Sequence, residues 1–194
     1  MRGRLAAVIA AGALLGAAPA AGQVEAIEPT FQLDRKGDVR GPLDIVRVAM
    51  SRRPDATLRA ELTMRRAWAD ADLREGGSLC IKLYVKAQPD AGVPEWLVCA
   101  TPAADGVTLV GRVLRNRANG LPRVAGAAVL TRPTARTIHL GFDPALIRRP
   151  ARLRFAGESV RRGRRCARAT GCSDLAPDAP GARAFRLRPV NASG

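Results

Sequence analysis

The stretch Leu79-Cys80-Ile81-Lys82-Leu83-Tyr84-Val85-Lys86, turned by Pro89-Asp90-Ala91-Gly92 and answered by Trp96-Leu97-Val98-Cys99-Ala100, decides the fold. Leu79, Ile81, Leu83 and Val85 alternate with Cys80, Lys82, Tyr84 and Lys86, the period of a half-buried strand. The Pro-Asp-Ala-Gly run is turn chemistry. If Cys80 faces Cys99, then Ile81 faces Val98 and Leu83 faces Trp96 on the buried side. Lys82 then faces Leu97 on the outer side. A register shifted by one residue would put these apolar side chains in water. Directly opposed residues lie about 4.5–5.5 Å apart at Cα, within disulfide reach. The spacing therefore predicts an antiparallel hairpin stapled by Cys80–Cys99 and leaves Cys166 and Cys172 to pair locally. No C-x-x-C pair is present, so a zinc reading of the four cysteines is poor.

The same alternation recurs outward from this hairpin. Val46, Val48 and Met50 alternate with Arg47 and Ala49. After the turn Ser51-Arg52-Arg53-Pro54-Asp55, Leu58, Ala60, Leu62 and Met64 alternate with Arg59, Glu61, Thr63 and Arg65. Val107 to Val113, the small-residue run Val124 to Leu130, and Ile138, Leu140 and Phe142 continue the pattern. Asp143-Pro144 reads as an N-cap and first position of a short helical turn through Ile147, stopped by Pro150. Leu153 and Phe155 point inward on the next strand, and Phe185 and Leu187 on the last. The expectation is all-β, an antiparallel β-sandwich of about nine strands with one helical turn at 143–147 and two disulfides. Residues 41–190 form a single domain, preceded by a lead-in over 24–40, with an irregular disulfide-held segment over 161–182.

The chain has 194 residues, a hydrophobic content of 47% and a formal net charge of +15. That length can bury roughly 70% of its unfolded surface, and the apolar content excludes a disordered chain. Arg supplies 29 of the 32 cations. Abundant Ala, Gly, Pro and Arg together match GC-rich coding, which accounts for part of the charge. Nucleic-acid binders usually add Lys, aromatic residues or a recognisable reading element. One His excludes a two-His metal site within this chain, and aromatics at 4% argue against a stacking surface.

Residues 1–23 carry a basic start at Arg2 and Arg4, an apolar run from Leu5 to Leu15, and the small-x-small pattern Ala18-Pro19-Ala20. These are the three parts of a cleavable secretory signal. The run is too short and too rich in Gly and Ala for a membrane span, and no transmembrane anchor is expected after cleavage. Export to the periplasm or outside the cell agrees with an even cysteine count.

Asp34-Arg35-Lys36-Gly37-Asp38, followed by Gly41-Pro42-Leu43-Asp44-Ile45, follows the pattern D-x-x-G-D-x-x-G-x-L-D-I. This opening resembles that of uncharacterised exported bacterial β-sandwich proteins, including domains appended to exported peptidases and carbohydrate-active enzymes. The resemblance covers about 12 residues. It implies a structural calcium near the first strand, with Asp34, Asp38 and Asp44 as ligands, since calcium takes several oxygen ligands. The alternative is a turn in which Asp bonds its own backbone and Gly takes positive φ. The turn is the favoured reading, because Arg35 and Lys36 sit among the acids. No other cofactor is expected.

Nine Arg and a single acid, Glu158, lie between residues 148 and 168. Arg152 and Arg154 should point outward beside Leu153 and Phe155, and Arg186 and Arg188 should do the same on the last strand. If those strands are neighbours, four guanidiniums form a stripe suited to carboxylate or phosphate. The expected function is an exported, non-catalytic binding or structural domain. Its expected partner is an anionic polysaccharide, wall polymer or other envelope component, not nucleic acid. A solvated Arg face reflecting codon composition is the bland alternative. The alternative of another class is a small exported hydrolase with a fold-assembled site around His139, which needs an acid and one of Ser51, Ser78, Ser159 or Ser173 beside it. No G-x-S-x-G elbow and no phosphate-cradling Gly loop are present. A third alternative is a structural protein that docks another chain through an exposed apolar patch. Trp96 is expected in the core and Trp68 at its edge.

Overall fold

The alternating segments become antiparallel strands in the computed structural model, which describes residues 29–34, 41–74, 76–86, 93–117, 119–161, 172–177 and 183–187. The strands are β1 (Thr30–Leu33), β2 (Ile45–Arg52), β3 (Leu58–Met64), β4 (Ser78–Tyr84), β5 (Trp96–Pro102), β6 (Leu109–Arg115), β7 (Arg123–Thr131), β8 (Thr137–Phe142), β9 (Arg152–Arg161), β10 (Cys172–Ala176) and β11 (Arg183–Arg186). Their hydrogen-bonded order is β1-β2-β3-β8-β7-β6-β5-β4-β9-β10, with β11 also on β9. One layer holds β1, β2, β3 and β8, and the other holds β6, β5, β4, β9, β10 and β11. Strand β7 belongs to both. Its residues up to Ala128 pair with β6, and Val129 to Thr131 pair with β8.

The hairpin register is the expected one. Cys80 lies opposite Cys99, Ile81 opposite Val98, Lys82 opposite Leu97 and Leu83 opposite Trp96. Cys80 and Cys99 are joined in a disulfide. Cys172 is disulfide-bonded, and Cys166, the partner expected for it, lies outside the described residues. Leu79, Ile81 and Leu83 are fully buried, as are Leu58, Ile138 and Phe155 from other strands. Burying each such side chain is worth about 1.5–3 kcal/mol. The layers approach closely at Gly157 on β9. A Cβ there would lie 2.7 Å from both Leu62 and Val48.

Two segments in which no strand is expected, the lead-in and the irregular stretch 161–182, contain strands. β1 lies within the lead-in and pairs along β2 from Thr30↔Met50 to Leu33↔Arg47. β10 lies within the segment 161–182 and pairs with the C-terminal half of β9, while β11 pairs with its N-terminal half. Neither is longer than five residues, too short for a clear period in the sequence. The start of β2 also differs. A bulge between Ile45 and Arg47 sets Val46 aside, so Ile45 is the buried residue beside Val48 and Met50. A bulge shifts the inward parity by one.

The open seam between the two layers is stitched by side chains bonded to backbone. Asp174 Oδ2 on β10 accepts from Ile45 N at 2.5 Å. Ser159 Oγ on β9 donates to Leu43 O at 2.7 Å, and Arg52 Nη1 donates to Leu187 O at 2.6 Å. These bonds satisfy backbone groups where no continuous ladder joins the layers. Two short 3-10 turns complete the fold. In Pro144–Ile147, Asp143 Oδ1 accepts from Ala145 N at 2.7 Å, the expected cap. The other, Asp70–Leu73, follows Trp68.

Candidate functional site

Leu153 and Phe155 are buried at 2% and 0% exposure, so Arg152 and Arg154 face outward on β9. Antiparallel pairing sets Phe185 opposite Leu153 and places Arg186 directly opposite Arg152. Ala184 lies opposite Arg154. On the other side of β9, Tyr84 of β4 lies opposite Arg154. The Arg154 guanidinium sits 5.9 Å from the Tyr84 ring centroid, within cation–π range. Burial first, then the Glu158 charge, push the Tyr84 phenol above its ordinary value, so its hydroxyl stays protonated at neutral pH. Three of the four expected Arg thus share one face, and Arg188 lies outside the described residues. Glu158, farther along the outer face of β9, is engaged by Lys82 Nζ at 2.5 Å. Among the described residues, Arg152 and Arg186 form no ion pair.

The outer face of the other layer carries a second polar group. His139 on β8 lies opposite Glu61 on β3 and opposite Thr131 on β7. His139 Nε2 and Glu61 Oε2 are 3.0 Å apart. Glu61 is also bonded by Arg47, whose guanidinium carbon lies 5.0 Å from the Phe31 ring centroid. Burial lowers the His139 pKa, Arg59 and Arg53 lower it further, and Glu61 opposes them; the net direction is down. The acid required by the hydrolase alternative is therefore beside His139. The serines are engaged or placed elsewhere. Ser51 Oγ accepts from Arg59 Nε at 3.3 Å, Ser159 serves the seam, and Ser78 and Ser173 lie on β4 and β10 of the opposite layer.

Of the three acids proposed as calcium ligands, Asp34 follows β1, and its N–H donates to Val46 O at 3.2 Å. Asp44 is 1% exposed, with Oδ2 3.5 Å from Arg65 Nη1. Asp38 lies outside the described residues. Among the described residues no group of three or more His, Cys, Asp or Glu gathers that could hold a metal ion. Asp174, within the Arg-rich end of the sequence, is buried at the seam, where its Oδ2 accepts from Ile45 N.

A cleft of about 520 Å³ at one end of the sandwich is lined by Arg52, Asp55, Asp143 and Arg149, among others. Its polar groups mostly serve the fold: Arg52 holds Leu187, Asp55 accepts from Thr57 at 3.0 Å, and Asp143 caps the turn. Trp96 is in the core as expected. Trp68 is 5% exposed and covered by Arg132, whose guanidinium carbon is 3.8 Å from the ring centroid; it offers no open stacking surface. Among the described residues no helix is long and apolar enough to cross a membrane.

Tyr84 and the Glu61–His139 pair were not joined to their partners by sequence reasoning. Both contacts span neighbouring strands far apart in the chain, and alternation reports a face without reporting the adjacent strand. No protein-family model, curated protein or solved structure matches the chain.

Proposed function

We propose that the chain is an exported, non-catalytic β-sandwich that binds an anionic envelope glycan or wall polymer across the outer face of β9 and β11. The observation that carries this reading is the direct opposition of Arg152 and Arg186. Like charges directly opposite across strands destabilise a sheet, and the acid on the same strand face is taken by Lys82. An anionic ligand supplies the missing countercharge, and guanidinium forks match carboxylate or phosphate bidentately. The buried Tyr84 ring packs beside Arg154 and helps position its guanidinium. The signal-like N-terminal segment and the disulfide support export.

Retention on an immobilised polyuronate column tests this. The wild type should elute at higher salt than the Arg152→Gln/Arg154→Gln/Arg186→Gln variant. Equal elution would remove the basis for the reading.

The hydrolase is the second reading, supported by the 3.0 Å contact of His139 with Glu61. Glu61 would orient the imidazole, as the acid of a triad does. Ester hydrolysis abolished by His139→Asn would support it over the binding reading.

A further inference from the structure

The outer face of β3, β8 and β7 contains a depression whose floor is a glycine. Gly141 on β8 lies between Arg59 on β3 and Val129 on β7, one same-face position from the row Glu61, His139 and Thr131. The resulting cavity of about 260 Å³ is lined by Arg53, Arg59, Val129, Thr131, His139 and Gly141. Neither a left-handed φ nor a close steric approach requires glycine there. Its φ is not in the left-handed region, and an added Cβ would meet its nearest atoms, on Val129, at an ordinary 3.8 Å. A glycine inside a strand weakens it and marks a bulge, a bend, or the close approach of a ligand or another backbone.

The polar groups around this floor come from separate elements. Arg59 is positioned by its Nε bond to Ser51, and its two Nη groups make no bond to another described residue. Arg53 arrives from the turn between β2 and β3. Its nearest acid is Asp55, with Nε and Oδ2 3.9 Å apart at an exposed position, where pairing is worth little. Asp55 itself accepts from the Thr57 hydroxyl and backbone N–H. Thr131 offers a hydroxyl from β7. Glu61, as a carboxylate, only accepts, so its contact puts a hydrogen on His139 Nε2 and makes Nδ1 the variable site of the ring. Three cationic or titratable groups and a hydroxyl from different directions suit an anion with more than two oxygens better than a planar carboxylate.

We propose that this depression binds a phosphoryl group, as inorganic phosphate or a phosphate monoester. Arg59 and Arg53 carry the charge, Thr131 donates a hydrogen bond, and His139, positioned by Glu61, shares a proton with the ligand. Gly141 provides the space. No bond is made or broken in the ligand. This site lies in the opposite layer from the Arg152 face and does not depend on it.

Isothermal titration of the full chain with inorganic phosphate, glycerol phosphate and sulfate tests the proposal. Saturable binding of phosphate or glycerol phosphate with a Kd of about 10 mM or tighter is expected, and the tighter of the two identifies the source. Arg59→Gln and Gly141→Val should each weaken it by at least about tenfold, and thermal melts of both variants establish that they fold. The Arg152→Gln/Arg154→Gln/Arg186→Gln variant should bind phosphate as the wild type does, which separates this site from the polymer-binding face. A proton-sharing ligand should also bind His139→Gln more weakly, with a flatter pH profile between pH 5.5 and 8. Here Glu61 and Arg59 on β3, Arg53 on the turn, Thr131 on β7 and Thr137 on β8 are the groups around the imidazole, with Arg47 behind Glu61. The absence of saturation, sulfate binding tighter than phosphate at pH 8, or unchanged affinity in folded Arg59→Gln and Gly141→Val would overturn the proposal.

Discussion

Arg186 of β11 stands directly opposite Arg152 of β9, on the outer face of a sheet whose Glu158, farther along β9, is bonded to Lys82. On the proposed reading, the pair is a cost in the free protein and an asset towards an anion. Arg186→Gln should therefore raise stability in low salt by about 0.2–1 kcal/mol while weakening polyanion binding. The gain should shrink as salt screens the pair. Urea denaturation at two ionic strengths measures it, and a destabilised variant would show that Arg186 is held by favourable contacts instead.

His139 gives the fold an acid-side weakness. Its pKa is lowered in the folded protein, chiefly by burial, from an ordinary value of 6.5. Above that value the ring is neutral in both states and contributes no pH dependence. As pH falls through 6.5 the unfolded chain takes the proton first, so stability is lost down to the folded pKa and stays lost below it. Denaturation between pH 8 and 5 should show a smaller loss for His139→Gln than for the wild type. Parallel curves would mean that the imidazole is not desolvated.

Asp174 closes the seam. Its carboxylate accepts from Ile45 N at 2.5 Å and is 1% exposed. Asp174→Ala leaves a buried N–H without its acceptor and should cost about 2–3 kcal/mol. Amide exchange should accelerate at Ile45 before it does at Ile81. Uniform acceleration would indicate that the seam is not a separate weak point.

Two glycines should respond differently to alanine. At Gly111 the new Cβ would lie 2.2 Å from the Ala128 carbonyl oxygen, which is backbone. At Gly157 it would meet Leu62 and Val48 side-chain ends, which can shift. Both variants should be destabilised, by about 1–3 kcal/mol at Gly157 and more at Gly111. The reverse order in thermal melts would contradict the packing described for β6 and β7.

Removing the hairpin disulfide with Cys80→Ala/Cys99→Ala opens a loop of sequence separation 19. The expected loss is about 3 kcal/mol, mostly through the unfolded chain. A loss below about 1 kcal/mol would indicate that the strand register alone confines this segment.

Alternation and turn chemistry made the hairpin at Cys80–Cys99 legible to the residue, because each side chain in it obeys the same parity. Parity failed at Val46, where a bulge resets the count, and was too brief to reveal β1 and β10. The outward direction of Arg152, Arg154 and Arg186 was legible, and their meeting depended on β11 lying beside β9. That adjacency, like the pairing of β3 with β8 that joins Glu61 to His139, is set by the path of the whole chain. A linear pattern carries no signal for it. Gly141 likewise means little until Arg59 and Val129 are found on either side.

The most direct test of the central claim is polyuronate affinity at graded salt for three proteins. They are the wild type, Arg152→Gln/Arg154→Gln/Arg186→Gln, and a control of equal charge change, Arg66→Gln/Arg117→Gln/Arg123→Gln, at exposed sites elsewhere. The β9–β11 variant should lose at least about tenfold in affinity at moderate salt, and the control about twofold or less. Equal losses in the two variants would contradict the claim and leave only the summed charge of an Arg-rich chain.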